Sequence, residues 1–458
     1  MRYIFIFILF SVVSFAQKKS NLSQEVWVDS VYNQLSFEER VGQLFMVAAY
    51  SNKDEAHNKS IDKLVEENKI GGLIFFQGGP VRQAKLTNRY QAKSKVPMFI
   101  GIDAEWGLSM RLDSTYRYPW NMTLGAVQDM KLIEKAGNQM AKQSKRMGIH
   151  FNFAPVVDIN TNPKNPIIGN RSFGETKENV TLRALALMKG LQDEGVFATA
   201  KHFPGHGDTS TDSHHTLPVV KFDKNRLDAV ELYPYKELIK NGLTSVMVAH
   251  LNVPSIEPRE NYPTSISYNV VTNILKNELQ FEGLIFTDAL NMKGASNFKK
   301  PGDIDLEAFL AGNDVLLFAE NVPVAIKKFN EAKKDGRLTE ERLAYSVKKI
   351  LAYKYKANLH NYQPIALENL YNDLNAVEFE ALNYQLYENA VTVIKNDTKS
   401  IPVAQLDKEK IAYVKLGNDT SDVFLTQLKN YANVTEITSK NLDNVLTELE
   451  GYTKVIIG

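Results

Sequence analysis

The sequence predicts a (β/α)₈ barrel followed by the start of a second α/β domain. Three observations carry this: eight strand-length apolar runs in the first 320 residues, amphipathic stretches between them, and polar residues gathered where the runs end. The runs are Leu44–Ala49, Gly72–Phe76, Pro97–Asp103, Phe151–Ile159, Val196–Phe203, Ser245–Leu251, Leu284–Asp288 and Asp314–Ala319. They are continuously apolar rather than alternating, as strands buried on both faces must be. Lys131–Met147 and Glu178–Glu194 read as amphipathic helices between them, and Ser36 with Glu39 forms a capping-box pattern ahead of an early helix. A doubly wound open sheet competes, but no G-x-G-x-x-G follows an early strand.

A barrel places its working residues at the C-terminal ends of its strands. Asp103, Asp158, Lys201, His202, His250 and Asp288 all fall at or near such ends. Past Leu351 the pattern changes. Ala366–Asn389 reads as helical, Ile411–Gly417 as a strand, Ser421–Tyr431 as a helix and Val455–Gly458 as a strand. The expected division is a signal peptide over 1–16, a barrel over 17–360, and a linker helix with the opening of an incomplete second domain over 361–458.

Composition narrows the function classes. The formal net charge of +1 gives no basic excess for nucleic acid. With no cysteine there is no disulfide, zinc–thiolate site, iron–sulfur cluster or thiol nucleophile. Arg2, the apolar run Tyr3–Val13 and the small residues of Ser14-Phe15-Ala16 form a signal-peptide pattern with Gln17 as the first mature residue. The run is short for a membrane span, so a periplasmic or secreted protein without a stable span after cleavage is expected.

Four segments carry candidate chemistry. The first runs from Lys201 to His215 and holds four of the eight histidines. Clustered His and Asp suggest a metal, but Pro204, Gly205 and Gly207 break any helix that would align histidines at i and i+4. The competing reading, preferred for His206 and His215, is a loop whose histidines hydrogen-bond backbone. Asp212-Ser213-His214 differs, because a carboxylate beside an imidazole fixes its tautomer and readies it for proton transfer. In the second segment, Phe286–Met292, Asp288 suits a nucleophile at a strand mouth or, equally, a cap on a following helix. In the third, Gly101–Arg111, Asp103 would accept from two ligand hydroxyls or cap backbone N–H groups, and Trp106 would stack on a ligand or pack internally. In the fourth, Asn165–Gly174, Arg171 is a ligand donor or a loop-pinning cation.

Together these segments resemble glycoside hydrolase family 3, within it the NagZ-like β-N-acetylglucosaminidase branch. The resemblance runs from about Ser36 to Leu351 and rests on KHFPGHGDT followed by DSH, on FAPVVDI with NPIIGNRSFG, and on FTDALNM and AGNDVLLF. It implies a retaining β-N-acetylhexosaminidase with Asp288 as nucleophile, His214 as acid/base and Asp212 as its partner. It also implies that Asp103, Arg111, Arg171, Lys201 and His202 grip the sugar; neither a metal nor a cofactor is expected. The implied partner is an oligosaccharide or muropeptide with a terminal β-linked N-acetylglucosamine. A β-glucosidase or β-xylosidase of the same family, which would not carry the Asp212–His214 pair, a non-catalytic carbohydrate-binding barrel and a metal-dependent hydrolase are the alternatives. Trp106-Gly107-Leu108 stands where the branch has Gly-Gly-Arg, although Arg111 keeps the matching offset.

Overall fold

The computed structural model describes residues 23–212, 216–417, 420–439 and 441–458. The proposed signal peptide, and with it His214 and His215, lies outside the described residues.

The eight apolar runs form one all-parallel sheet: β1 (Phe45–Tyr50), β2 (Gly72–Phe76), β3 (Phe99–Ile102), β4 (Phe151–Asn152), β5 (Phe197–Phe203), β6 (Ser245–Val248), β7 (Leu284–Thr287) and β8 (Leu316–Leu317). Neighbours follow chain order from β1 to β7, and β8 pairs with β1. A bridge between Phe286 and Val315, with the Thr287 N–H donating to the Val315 carbonyl at 3.0 Å, joins β7 to β8 and closes the barrel.

The interior is filled by phenylalanine. Phe151 stands 4.9 Å from Phe99, 4.9 Å from Phe197 and 5.0 Å from Phe286, ring centre to ring centre. Gly101 leaves the space, since a Cβ there would come within 2.8 Å of the Phe153 ring. Because strand side chains alternate, the residue two beyond each inward position also faces the axis, one layer higher. That spacing takes Gly101 to Asp103, Thr199 to Lys201 and Phe286 to Asp288.

The predicted helices are present as Lys177–Asp193 and Met130–Arg146. Gly137 and Gly190 let them meet closely, a Cβ on Gly190 falling 2.1 Å from the Glu134 carbonyl oxygen. The Ser36–Glu39 capping box is formed in both directions.

Three expectations need adjustment. The regular ladder of β4 ends at Asn152 rather than reaching Ile159, and Pro155 has no N–H to contribute; beyond Asn152 the Ala154 carbonyl accepts from the Thr199 N–H at 2.8 Å and the Val157 N–H donates to the Lys201 carbonyl at 2.8 Å, an isolated bridge to β5 opposite Lys201. The helical stretch assigned to the second domain is two helices, Leu370–Leu374 and Val377–Ala390, and both belong to the barrel unit. Gln143 Nε2 donates to the Leu374 carbonyl at 2.8 Å, Arg146 reaches Asp373 at 2.7 Å, and Leu382 and Leu386 are buried with Leu132 and Met140. The division into compact units therefore falls between Val391 and Thr392, not between 360 and 361. The second unit, 392–458, is a three-stranded parallel sheet in the order β10–β9–β11 (Val434–Ile437, Ile411–Val414, Lys454–Ile457). The sequence patterns do not reveal β10, its middle strand in chain order, or the helix Leu442–Leu449, the former because it is half polar: Val434 and Ile437 are buried in separate clusters while Thr435 is exposed.

Candidate active site

A cavity of about 530 Å³ opens at the C-terminal end of the barrel. Asp103, Arg111, Arg171, Lys201, His202 and Asp288 all line it, so six of the eight predicted site residues share one space. Asp212 does not line it: its carbonyl accepts from the Thr216 N–H at 2.9 Å on the loop after β5. The pairing of Asp212 with His214 falls on the undescribed stretch 213–215.

The cavity has a charged side built from β3, the loop after β4, and β5. Lys201, almost wholly buried, donates to Asp103 and to Glu105, each at 2.8 Å. Arg111 holds the other oxygen of Asp103 at 2.7 Å and lies 4.2 Å over the Phe76 ring. Arg171 binds Glu105 through two contacts, Nη2–Oε1 at 2.7 Å and Nε–Oε2 at 3.0 Å. Burial alone would raise both carboxyl pKa values. Lys201 with Arg111 outweighs it for Asp103, and Arg171 with Lys201 for Glu105, so both stay ionised well into acid. Asp103 is thus an ion-pair acceptor rather than a backbone cap, and Arg171 both pins its loop and faces the cavity. The altered loop Trp106-Gly107-Leu108 still delivers Arg111 to Asp103. Trp106 packs on Trp120, ring centres 4.1 Å apart, and is not part of the cavity wall.

Asp288 follows β7, and its Oδ1 accepts the Ala289 N–H at 2.8 Å. No helix begins there; the next, Lys293–Ser296, starts from Met292, so the capping reading of Asp288 falls away. Burial pushes its carboxyl up. The neighbouring imidazoles of His202 and His250, the Ala289 N–H and Lys201 overcome this and hold it below the usual value. Asp288 is therefore a carboxylate at neutral pH. His250, fully buried, has Nδ1 2.7 Å from the Ser265 hydroxyl and Nε2 3.0 Å from the Ala289 carbonyl, steadying the residue after Asp288.

His206 is built into its loop, with Nδ1 2.6 Å from the Thr209 hydroxyl and its N–H on Asp158 at 2.7 Å, and it also lines the cavity. Among the described residues no group of three or more His, Asp or Glu side chains is arranged to hold a metal ion.

Glu105 and Asp158 were missed as site residues. The signal for Glu105 was present: it lies two residues after Asp103, and that spacing puts both carboxylates on one side of extended chain. The sequence marks Asp158 only as a strand-end residue, and nothing local announces its partner His202.

A match to the glycosyl hydrolase family 3 N terminal domain covers residues 36–353. Beta-hexosaminidase A of Pseudoalteromonas piscicida is 33% identical over 373 residues, 74% of this chain and 61% of that protein. The chain thus spans less than two thirds of that relative. The beta-N-acetylglucosaminidase/beta-glucosidase of Cellulomonas fimi is 25% identical over 405 residues, covering 87% of this chain and 71% of that one. The solved structure of a family 3 beta-N-acetylglucosaminidase from Paenibacillus sp. str. FPU-7 superposes with a TM-score of 0.76 at 31% identity, over 92% of this chain and 84% of that chain. Barrel, cavity and sequence agree: the chain belongs to glycosyl hydrolase family 3.

Proposed function

We propose that this protein is a retaining β-N-acetylhexosaminidase that removes terminal β-linked N-acetylglucosamine. The observation that carries the reading is an ionised Asp288 lining the same cavity as the Asp103–Lys201–Glu105–Arg171 network. The paired cations and carboxylates supply donors and acceptors at fixed positions for sugar hydroxyls, leaving the nucleophile to meet the anomeric carbon. Asp288 would attack that carbon while the glycosidic C–O bond breaks, and His214, oriented by Asp212, would give its proton to the departing oxygen. In the second step His214 takes a proton from water, water attacks the same carbon, and the bond to Asp288 is released. The relatives named as hexosaminidases support the substrate class.

Export, to the periplasm or beyond, rests on the Met1–Ala16 pattern, and among the described residues no helix is long and apolar enough to cross a membrane. An exported enzyme of this kind would meet peptidoglycan fragments first. The deciding assay compares nitrophenyl β-N-acetylglucosaminide with the β-glucoside and β-xyloside. Preference for the first by tenfold or more in kcat/KM is expected; preference for either of the others moves the protein to the glucosidase or xylosidase reading.

A further inference from the structure

We propose that Asp158 is a positioning residue that fixes the tautomer of His202, so that the ring presents a bare Nε2 to Arg171 in the cavity wall. The proposal rests on the reading of this cavity as the sugar site and deepens it.

Asp158 is only 1% exposed, and each of its oxygens has assigned work. Oδ1 accepts two backbone N–H groups, from His206 at 2.7 Å and from His202 at 3.2 Å. Oδ2 lies 2.7 Å from His202 Nδ1. The other ring nitrogen, Nε2, lies 3.3 Å from Nη2 of Arg171. A guanidinium only donates, and a carboxylate only accepts. The arrangement is satisfied in one way: the proton sits on Nδ1 and points to Asp158, and Nε2 offers its lone pair to Arg171. That lone pair meets an Arg171 guanidinium which also holds Glu105, so the His202 tautomer sets how Arg171 sits in the cavity wall. A protonated Nε2 would set donor against donor.

The two backbone N–H groups make an informative variant available. In Asp158→Asn the amide oxygen must remain where Oδ1 is, because both donors point there. The amide nitrogen then replaces Oδ2 and donates to Nδ1. This drives the proton to Nε2, directly against Arg171, with almost no change of volume.

The test is a long-range proton–nitrogen correlation spectrum of the full chain labelled with ¹⁵N-histidine, with His202 assigned by loss of its signals in His202→Gln. Wild type is expected to show Nδ1 protonated and Nε2 bare near neutral pH, and Asp158→Asn the reverse. Its kcat/KM on nitrophenyl β-N-acetylglucosaminide should fall by about 10–100-fold, with the unfolding temperature little changed. A wild-type His202 carrying its proton on Nε2, or an Asp158→Asn enzyme with undiminished kcat/KM, overturns the proposal. Should the variant fail to fold, the wild-type spectrum alone decides. An active enzyme with the proton on Nε2 removes this proposal and leaves the hexosaminidase reading standing. The expected spectrum in a chain that cleaves no β-N-acetylglucosaminide removes that reading and leaves the tautomer assignment.

Discussion

Glu105 and Arg171, 66 residues apart in the chain, meet as a two-pronged ion pair in which the carboxylate is fully buried and the guanidinium one-fifth exposed. The pair ties the loop after β3 to the loop after β4, and Lys201 from β5 closes on the same carboxylate.

Glu105→Gln leaves Arg171 and Lys201 facing each other with one counter-charge fewer. Breaking such a pair costs on the order of 3 kcal/mol, and the proposed sugar-binding groups Arg171 and Lys201 are displaced as well. A lower unfolding temperature and a kcat/KM reduced by roughly 100-fold are expected from calorimetry and steady-state kinetics. The acid limb should change too. The folded Glu105 and Asp103 carboxyls lie below their unfolded values, so their contribution is present above about pH 4.5 and is lost as pH falls through the folded pKa. Wild type should therefore lose stability steeply below that pH, and Glu105→Gln less steeply.

Asp288→Asn removes the proposed nucleophile while keeping shape and the hydrogen bond from Ala289. Turnover should fall by roughly 10³-fold or more on every leaving group, with the unfolding temperature near wild type. Near-normal activity would mean the nucleophile lies elsewhere.

His214→Ala should discriminate between leaving groups. An alkyl or sugar alcohol needs a proton in order to depart, and the loss there should be about 10²–10⁴-fold. Nitrophenolate departs without help and should lose far less in the first step. Equal losses on both would argue against an acid role.

Lys354 tests the floor of the barrel unit. It is wholly buried with one carboxamide in reach, Gln43 Oε1 at 2.7 Å, and burial pulls its ammonium down to about 7. From about pH 7 up to the unfolded value near 10.4, the unfolded chain holds a proton that the folded chain has released, so wild-type stability rises with pH across that window. Lys354→Met has no such dependence. Its unfolding temperature should exceed that of wild type most clearly near pH 6, and the advantage should shrink toward pH 9. An advantage that grows with pH would contradict the assignment.

Much of the barrel was legible because burial on both faces leaves a plain trace: long apolar runs ended by polar residues. The runs at Gly72–Phe76 and Leu284–Asp288 agree with β2 and β7 to within a residue. β4 was over-read because Phe151–Ile159 stays apolar after leaving the ladder; burial, not pairing, sets composition there. β10 was missed for the converse reason, being paired yet partly exposed.

The site divides along the same line. The sequence by itself placed Asp103, Lys201, His202 and Asp288 at strand ends, because strand periodicity and barrel geometry act locally and register directly in residue order. Only the tertiary structure decided who partners whom: Lys201 with Asp103 across 98 residues, Arg171 with Glu105 across 66, His202 with Asp158 across 44. Those pairings follow from the side-by-side parallel pairing of β3, β4 and β5, which brings their C-terminal ends together. A hydrogen bond between distant residues leaves no periodic mark in either segment, and so the partners of Glu105 and Asp158 became visible only once the strands stood side by side.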